Sequence, residues 1–212
     1  MKIIIPARKG SKGLPGKNRL LLEHTISKIP EIYKNDVIVT TDDESIIEQL
    51  NSSEYKVLKR RKSLSEETTS TRDVLQDVIN QYNISEDEHV LMLYLTYPER
   101  TWKDVEEVLE FYSKTQARSL LCCSDVKVSP FLCMLKKDSH KGTQIIEHNL
   151  YRRQDYPECF EISHFICIFH SDELKKLNKN LYNKDTVFYK IKSPVDVDTP
   201  KDIERFYGKD NS

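Results

Sequence analysis

The sequence predicts an α/β domain with a doubly wound, mostly parallel sheet. Short apolar runs alternate with amphipathic stretches along 212 residues, a length that suits one domain. Residues 90–95 are almost continuously apolar, which is typical of a strand buried on both faces. Helical patterns between the strands favour parallel neighbours, because a crossover must return the chain to the same end of the sheet.

The amino-terminal half alternates strand and helix. Apolar or β-branched runs predict strands over residues 3–5, 37–40 and 55–58. The first helix is expected over 24–29, where Pro30 would stop it. Asp43 can cap a second helix, and apolar side chains at positions 74, 75, 78, 79 and 82 form the stripe of a third.

The second half continues the alternation after the strand over residues 90–95. Thr101 and Asp104 form a capping-box pattern at the start of a helix. Further strands are expected over 119–123, 131–135, 165–169 and 187–191, and the polar segment 140–157 shows little periodicity. Thr199, followed by Pro200, begins a last helix that Gly208 is expected to end.

Composition excludes several functional classes. The formal net charge is −1, so no nucleic-acid or membrane partner is expected from global charge. No apolar run reaches the roughly 18 residues that span a bilayer. The five cysteines are odd in number and contain no Cys-x-x-Cys pair, which argues against a zinc knuckle or a disulfide framework. A cytoplasmic protein is therefore expected.

The loop after the first strand is rich in glycine and in positive charge. Three glycines are spaced by three residues, and four cations accompany them: Arg8, Lys9, Lys12 and Lys17. A loop that leaves a buried strand can direct backbone N–H and ammonium groups at a polyphosphate. The Walker A motif is absent, because five residues separate Gly10 from Gly16 and Asn18 follows Lys17. The dinucleotide motif is also absent, because its glycines are not all three residues apart as they are here. A flexible, solvated basic loop is the alternative.

Two carboxylates alternate near the carboxyl end of the chain. Asp196 and Asp198 would point to the same side of an extended segment. Hard oxygen ligands at this spacing suit Mg²⁺, which retains water and bridges phosphates. The alternative is a helix-capping turn before Thr199.

Five segments, in the same order, resemble the acylneuraminate cytidylyltransferases, the CMP-sialic acid synthetases. They cover nearly the whole chain and read IPARKGSKGLPGKN at 5–18, VIVTTD at 37–42, an Arg- and Ser/Thr-rich stretch at 60–71, RRQD at 152–155 and VDVDT at 195–199. The resemblance implies a Rossmann-like nucleotidyltransferase fold in a single domain over 1–212. It also implies an inserted, protruding dimerisation segment at about 131–163 and a homodimer.

The resemblance further implies a reaction in which CTP and an acidic keto sugar, with Mg²⁺, give a CMP-sugar and pyrophosphate. The implied groups are as follows: catalytic Arg8, Lys12, Lys17 and Arg152; nucleotide-binding Arg8, Ser11, Lys12, Lys17, Asn18, Arg60, Thr69 and Tyr94; acceptor-binding Arg152, Gln154, Ser163 and His164; metal-binding Asp196 and Asp198. Arg61 is an alternative to Arg60 for the nucleotide-binding role, because the alignment can shift by one residue. Arg152 has an alternative as a loop arginine paired with Asp155 or Glu158.

The sequence departs from the family pattern on the acceptor side. Tyr94 stands where a glutamine is usual, and Ser163-His164 replaces an Asn-Gly pair. His164 is a candidate acceptor contact or base, with a structural role as its alternative. Three functions stay open: transfer to a sialic-type acid, transfer to another acid such as 3-deoxy-octulosonate, and nucleotide binding without catalysis.

Overall fold

A computed structural model describes residues 1–51 and 53–209. Its strands are β1 Lys2–Pro6, β2 Val37–Thr41, β3 Lys56–Lys59, β4 His89–Met92, β5 Ser119–Asp125, β6 Met134–Lys136, β7 Gly142–Gln144, β8 Phe160–His170 and β9 Val187–Lys190. Its α-helices are α1 Lys17–Ile26, α2 Glu44–Leu50, α3 Thr71–Gln81, α4 Trp102–Ser113 and α5 Pro200–Lys209. Short 3-10 helices lie between several of them.

The central sheet has seven strands in the order β3-β2-β1-β4-β8-β5-β9. Strand β8 runs antiparallel to both β4 and β5, and the other pairs are parallel. In the centre, Ile4 of β1 lies opposite Ile38 on one side and Met92 on the other. The predicted doubly wound, mostly parallel sheet is therefore confirmed.

Alternating side chains of the central strands fill two cores, one on each face of the sheet. Ile3 and Ile5 belong to the core that also contains buried residues of α1, α2 and α4. Ile4 belongs to the core that contains the apolar face of α3. Each fully buried aliphatic side chain contributes roughly 1.5–3 kcal/mol of transfer free energy. Helices on both faces explain why the central strands are apolar without alternation.

The first helix begins earlier than the pattern indicated. The prediction of a helix over 24–29 ended by Pro30 is wrong, because α1 starts at Lys17 and ends at Ile26. Gly16 adopts φ 74°, a left-handed conformation that glycine tolerates, and this turn takes the chain directly from the basic loop into the helix. The basic loop and the helix are therefore continuous.

The segment after β5 also differs from expectation. Only the end of the predicted strand over 131–135 is present: residues Pro130–Leu132 form a 3-10 helix, and Met134 and Leu135 belong to β6. Strand β6 pairs antiparallel with β7, so the polar segment 140–157 contains a strand of a separate two-stranded sheet. Met134 and Leu135 are 56% and 55% exposed, so the apolar pattern here does not mark a core strand of this chain.

Smaller differences concern the ends of elements. Strand β4 ends at Met92, although Leu93 and Leu95 beyond it are buried. Gly208 lies inside α5 and does not end it, whereas the predicted start at Thr199 is supported by its hydroxyl and N–H, which both donate to Asp202. Across residues 1–51 and 53–209, no helix has the length and apolar character needed to cross a bilayer.

Candidate active site

A cavity of about 420 Å³ lies where β1 and β4 end. The loop after β1 forms one wall, and the residues after β4 and before α5 form the others. The lining residues are Pro6, Arg8, Gly10, Ser11, Lys12, Gly13, Lys17, Asn18, Glu67, Tyr94, Thr96, Asp198 and Thr199. In a parallel sheet this is the edge where ligands bind.

The basic loop and the Asp196–Asp198 segment are in direct contact. The Lys17 Nζ atom donates to Asp198 Oδ1 at 2.6 Å, and only 11% of the lysine side chain is exposed. Gly13 lies so close that a Cβ atom there would be 2.3 Å from the carbonyl oxygen of Asp198. The structure thus brings together two motifs that are 181 residues apart in sequence.

Hydrogen bonds fix the backbone of the loop. Asn18 Nδ2 donates to the carbonyl of Arg8 at 2.7 Å, and the N–H of Lys9 donates to Asp42 Oδ1 at 2.8 Å. The Thr41 hydroxyl donates to the carbonyl of Ala7 at 2.5 Å. The loop is therefore held against the end of β2, and it is not the freely solvated segment that the alternative interpretation described.

The segment between β3 and α3 covers the mouth of the cavity. Lys12 Nζ lies 2.8 Å from Glu67 Oε2, and both side chains are exposed. Arg8 Nη1 donates to the carbonyl of Glu66 at 3.2 Å. An ion pair in water is weak, so an incoming anion can replace Glu67 at low cost.

Neither Arg60 nor Arg61 lines the cavity, and of the two only Arg60 is buried against the end of β2, beside the basic loop. Arg60 is buried and donates from Nη2 to the carbonyl of Thr40 at 3.0 Å, while its Nε has no hydrogen-bond partner among the described residues. Burial lowers the pKa of Arg60, and its charge interacts with Asp42 and Arg8. Arg61 instead lies exposed beside Asp77, with 3.1 Å between Nη2 and Oδ1.

Thr69 is outside the lining of the cavity. Its hydroxyl donates to the carbonyl of Ser63 at 3.2 Å, within the same covering segment.

Tyr94 closes the inner wall of the cavity. Its hydroxyl is 2.5 Å from Thr71 Oγ1 at the start of α3, and burial raises the pKa of Tyr94 to about 12. Its ring meets the ring of His164 edge to face, with 5.7 Å between centroids. Tyr94 and His164, the two residues that depart from the family pattern, therefore contact each other.

A bulge in β8 contains His164, and Ser163 lies directly before it. Leu121 of β5 pairs with Cys167, and the next residue, Cys122, pairs with Ser163, so residues 164–166 leave the ladder. His164 Nε2 lies 3.0 Å from the carbonyl of Asn180, and burial lowers the pKa of the imidazole. Because a carbonyl oxygen only accepts, Nε2 carries the proton and Nδ1 is left as an acceptor.

Sequence analysis missed Arg100, which holds this bulge in place. The buried guanidinium donates to the carbonyl of Phe165 at 2.6 Å and to that of Tyr94 at 2.8 Å. Burial lowers the pKa of Arg100 to about 10. Its position just after a buried strand and its turn could have marked Arg100 as a candidate. Its hydrogen-bond acceptors could not be predicted, because they are backbone carbonyls and no sequence motif identifies them.

The two aspartates alternate with buried valines along an extended segment, and of the two only Asp198 lines the cavity. Val195 and Val197 are buried while Asp196 and Asp198 are exposed, as the alternation predicted. Tyr97, which sequence analysis also missed, donates its hydroxyl to Asp196 Oδ2 at 3.0 Å. Asp196 is exposed as a residue, but loss of water around its carboxyl group, together with repulsion from Asp198, raises its pKa. Within residues 1–51 and 53–209 no three acidic, histidine or cysteine side chains converge in a metal-binding group.

Arg152 and Gln154 do not reach the cavity in this protomer. Arg152 forms two hydrogen bonds with Asp155, from Nε at 2.8 Å and from Nη2 at 2.9 Å. Gln154 is exposed in the adjoining 3-10 turn. Within one chain the structure therefore matches the alternative description of Arg152 as a loop arginine paired with Asp155.

The mostly parallel sheet, with its cavity at the carboxyl ends of β1 and β4, has the fold of known nucleotidyltransferases. A family model described as cytidylyltransferase matches residues 2–94, from β1 to the inner wall of the cavity. An N-acylneuraminate cytidylyltransferase of Streptococcus agalactiae is 29% identical over 97% of this chain and 52% of its own length. The resemblance to the acylneuraminate cytidylyltransferases is thereby confirmed, and the chain spans about half the length of that relative.

Other relatives extend the comparison. A CMP-N,N'-diacetyllegionaminic acid synthase of Legionella pneumophila is 27% identical over 94% of this chain and 91% of its own length. The structure of a CMP:2-keto-3-deoxy-manno-octonic acid synthetase complexed with CTP superposes with a TM-score of 0.68, at 18% identity over 99% of this chain and 98% of that one. At that identity the structural likeness supports the fold.

Replacement of Gly13 by alanine is expected to separate the loop from the Asp198 backbone. The new Cβ would overlap the carbonyl oxygen, and overpacking of this kind costs about 1–3 kcal/mol. Urea unfolding followed by circular dichroism measures the loss. Gly10→Ala is the matched control, because no atom lies within 4 Å of a Cβ at Gly10. Equal stability of the two variants would contradict the contact.

Proposed function

We propose that this chain transfers CMP from CTP to an acidic keto sugar of the nonulosonic type and releases pyrophosphate. The observation that carries the proposal is the contact of Lys17 and Gly13 with Asp198, which surrounds one cavity with cations on one side and carboxylates on the other. The proposal is supported by the relatives, whose printed names describe cytidylyl transfer to acids of this class.

The phosphates of CTP bind to the basic loop. Arg8 supplies a fork for two phosphate oxygens, Lys12 and Lys17 supply point charges, and Ser11 supplies a hydroxyl. The acceptor hydroxyl forms a new bond to the α-phosphorus, and the bond from that phosphorus to the bridging oxygen of pyrophosphate breaks. Cations held in a preformed loop stabilise the charge that develops on the leaving oxygens.

The remaining nucleotide contacts are proposed for Asn18, Arg60, Thr69 and Tyr94. Asn18 holds the loop through the Arg8 carbonyl, and the unpartnered Nε of Arg60 offers a buried donor beside that loop. The support for Thr69 is its place in the segment that covers the cavity, between Glu67 and α3.

Asp196 and Asp198 are proposed to hold Mg²⁺. Two exposed carboxylates on one side of a fixed segment fit an ion that takes one or two protein ligands and completes its shell with phosphate and water. When bound, this ion supplies positive charge to the phosphates of the nucleotide. The chain's own part is to hold the carboxylates in place through Tyr97 and Lys17.

The acceptor is proposed to bind beside Tyr94 and the β8 bulge. His164 stays neutral near pH 7 because burial lowers its pKa, and its free Nδ1 can accept a proton or a hydrogen bond from an acceptor hydroxyl. Buried Ser163 lies directly before it. These side chains replace a glutamine and an Asn-Gly pair, so they are the proposed determinants of acceptor choice.

A homodimer is proposed to bring Arg152 and Gln154 to the partner's cavity. The segment that carries them, about 131–163, has exposed apolar side chains at Leu132, Met134, Leu135, Ile145, Tyr151 and Phe160. A patch of this kind is typical of an interface. A cytoplasmic location without nucleic-acid or membrane partners is also proposed, and the balanced charge of the chain supports the lack of such partners.

Incubation with CTP, Mg²⁺ and a panel of keto acids is expected to release pyrophosphate and yield a CMP adduct detectable by mass spectrometry. The panel contains sialic, legionaminic and pseudaminic acids and 3-deoxy-octulosonate. Arg8→Met is expected to lower kcat/KM by about 10²–10³-fold, as loss of a transition-state cation does. The neighbouring Lys9→Met, whose side chain does not line the cavity, is the control. Tight CTP binding without product from any acid would favour a nucleotide-binding role.

Asp198→Asn is expected to raise the Mg²⁺ concentration required for CTP binding by at least ten-fold, because one hard ligand loses its charge. Isothermal titration of CTP at several Mg²⁺ concentrations measures the effect without turnover. Lys17→Met is the control, because it removes the ion-pair partner of Asp198 and keeps the carboxylate itself. It is not expected to change the Mg²⁺ concentration that CTP binding requires. An affinity loss in Asp198→Asn that is the same at every Mg²⁺ concentration would refute metal binding by this residue.

Leu135→Asp is expected to convert the dimer into monomers, because a charge in an apolar interface is costly. Sedimentation velocity measures the change, and Ile32→Asp, at an exposed isoleucine outside the segment, is the control. Mixed Arg152→Ala and Lys17→Met subunits are expected to recover activity if Arg152 serves the partner's cavity. A monomeric wild type, or no recovery in mixtures that form dimers, would contradict this arrangement.

A further inference from the structure

A turn at residues 178–182, between β8 and β9, lies against the imidazole of His164. His164 Nε2 donates to the carbonyl oxygen of Asn180 at 3.0 Å, and the same ring meets Tyr94 edge to face. The turn itself is outside the lining of the active-site cavity. It can therefore affect the acceptor side of the site through the ring that it holds.

The turn is built around the exposed side chain of Asn178. Its Oδ1 atom accepts the N–H of Asn180 at 2.8 Å and the N–H of Tyr182 at 3.3 Å. Its backbone closes the turn, because its N–H donates to the Tyr182 carbonyl at 2.9 Å and its carbonyl accepts the Leu181 N–H at 3.0 Å. An asparagine that bonds the backbone two residues further on is a common means of fixing a turn.

Leu181 holds the turn in a conformation that leucine rarely adopts. Its φ is 63°, in the left-handed region, and its side chain is fully buried in the core that contains the apolar face of α3. Such conformations persist where the surroundings over-determine them, and they cluster at functional sites. Burial of Leu181 and the hydrogen bonds of Asn178 together fix the direction of the Asn180 carbonyl.

The start of α3 ties the turn to Tyr94. Thr71 Oγ1 lies 2.5 Å from the Tyr94 hydroxyl. The next residue, Arg72, donates from Nη1 to the carbonyl of Leu177, directly before the turn, at 2.9 Å. Two consecutive residues of one helix therefore fix both neighbours of the His164 ring relative to each other.

We propose that the 178–182 turn positions His164 for the acceptor, with Asn178 as the positioning residue. The Asn180 carbonyl selects the tautomer with the proton on Nε2, so Nδ1 stays available to accept from the acceptor hydroxyl. The turn also keeps the ring against Tyr94. This inference rests on the proposed function, in which His164 contacts the acceptor.

The tautomer of His164 tests the positioning without CTP or acceptor. Long-range ¹H–¹⁵N spectra of the ¹⁵N-labelled full chain, recorded where the ring is neutral and assigned with His164→Gln, distinguish the two nitrogens. Wild type and Asn178→Asp, whose carboxylate can accept the same two N–H groups, are expected to show the Nε2–H form alone. Asn178→Ala is expected to show a detectable fraction of Nδ1–H. Both forms in the wild type, or an unchanged ring in Asn178→Ala, would overturn the proposal.

Steady-state kinetics measure the consequence for the acceptor. Asn178→Ala is expected to raise the KM for the keto acid about five-fold or more and to leave the KM for CTP unchanged, because the turn is outside the cavity that the basic loop lines. Asn178→Asp is expected to restore the wild-type KM. Thr115→Ala, which loses the hydroxyl that accepts the Ala117 N–H in a turn before β5, is the control for a weakened turn.

A double variant tests whether the turn acts through His164. His164→Gln keeps an N–H donor for the Asn180 carbonyl and removes the Nδ1 acceptor. In this background Asn178→Ala is expected to change the acceptor KM no further, because two residues that act through one group are not additive. An additional rise, or a parallel rise in the KM for CTP, would refute the positioning role. If no acid reacts, the proposed function fails, and the tautomer measurement still decides whether the turn holds His164.

Discussion

The contact between the loop after β1 and the backbone at Asp198 is the constraint on which the candidate site depends. Lys17 and Gly13 hold one side of the Asp196–Asp198 segment, and the residues after β4 hold the other, through Thr96 and Tyr97. The segment is thus clamped between two loops that leave neighbouring parallel strands. Removal of either side would leave the carboxylates without a fixed position relative to the cations.

A second constraint organises the opposite wall of the cavity. Arg100 is a buried cation whose described hydrogen bonds go to backbone carbonyls, at Phe165 and at Tyr94. It therefore links the bulge of β8 to the end of the neighbouring strand. Bulges commonly re-aim side chains beside functional sites, and here the bulge carries His164, with Ser163 directly before it. The Asp196–Asp198 segment and the β8 bulge are consequently held by separate structural devices.

Sequence reasoning succeeded where the relevant physics is local. The basic loop, the alternating aspartates and the caps at Asp43 and Thr101 follow from residue type and spacing, and the structure has both caps. It failed where a distant partner decides the outcome. Helix α1 begins after Gly16, where the chain leaves a loop that Asp42 and Asn18 hold through hydrogen bonds. Strand β6 is a strand through its pairing with β7. Tyr97 was missed because its partner Asp196 is remote in sequence, and Arg100 because its acceptors are backbone carbonyls, one of them at distant Phe165.

Before any nucleotide arrives, the cations of the loop are already partly neutralised by carboxylates of the same chain. Lys12 lies against Glu67, and Lys17 lies against Asp198. Under the proposed function, a triphosphate would exchange these internal ion pairs for new ones with its own phosphates. Added salt screens both sets, so it weakens the competing internal pairs together with the new ones. Binding of an anion at this loop would therefore depend less on ionic strength than binding at a loop of unpaired cations.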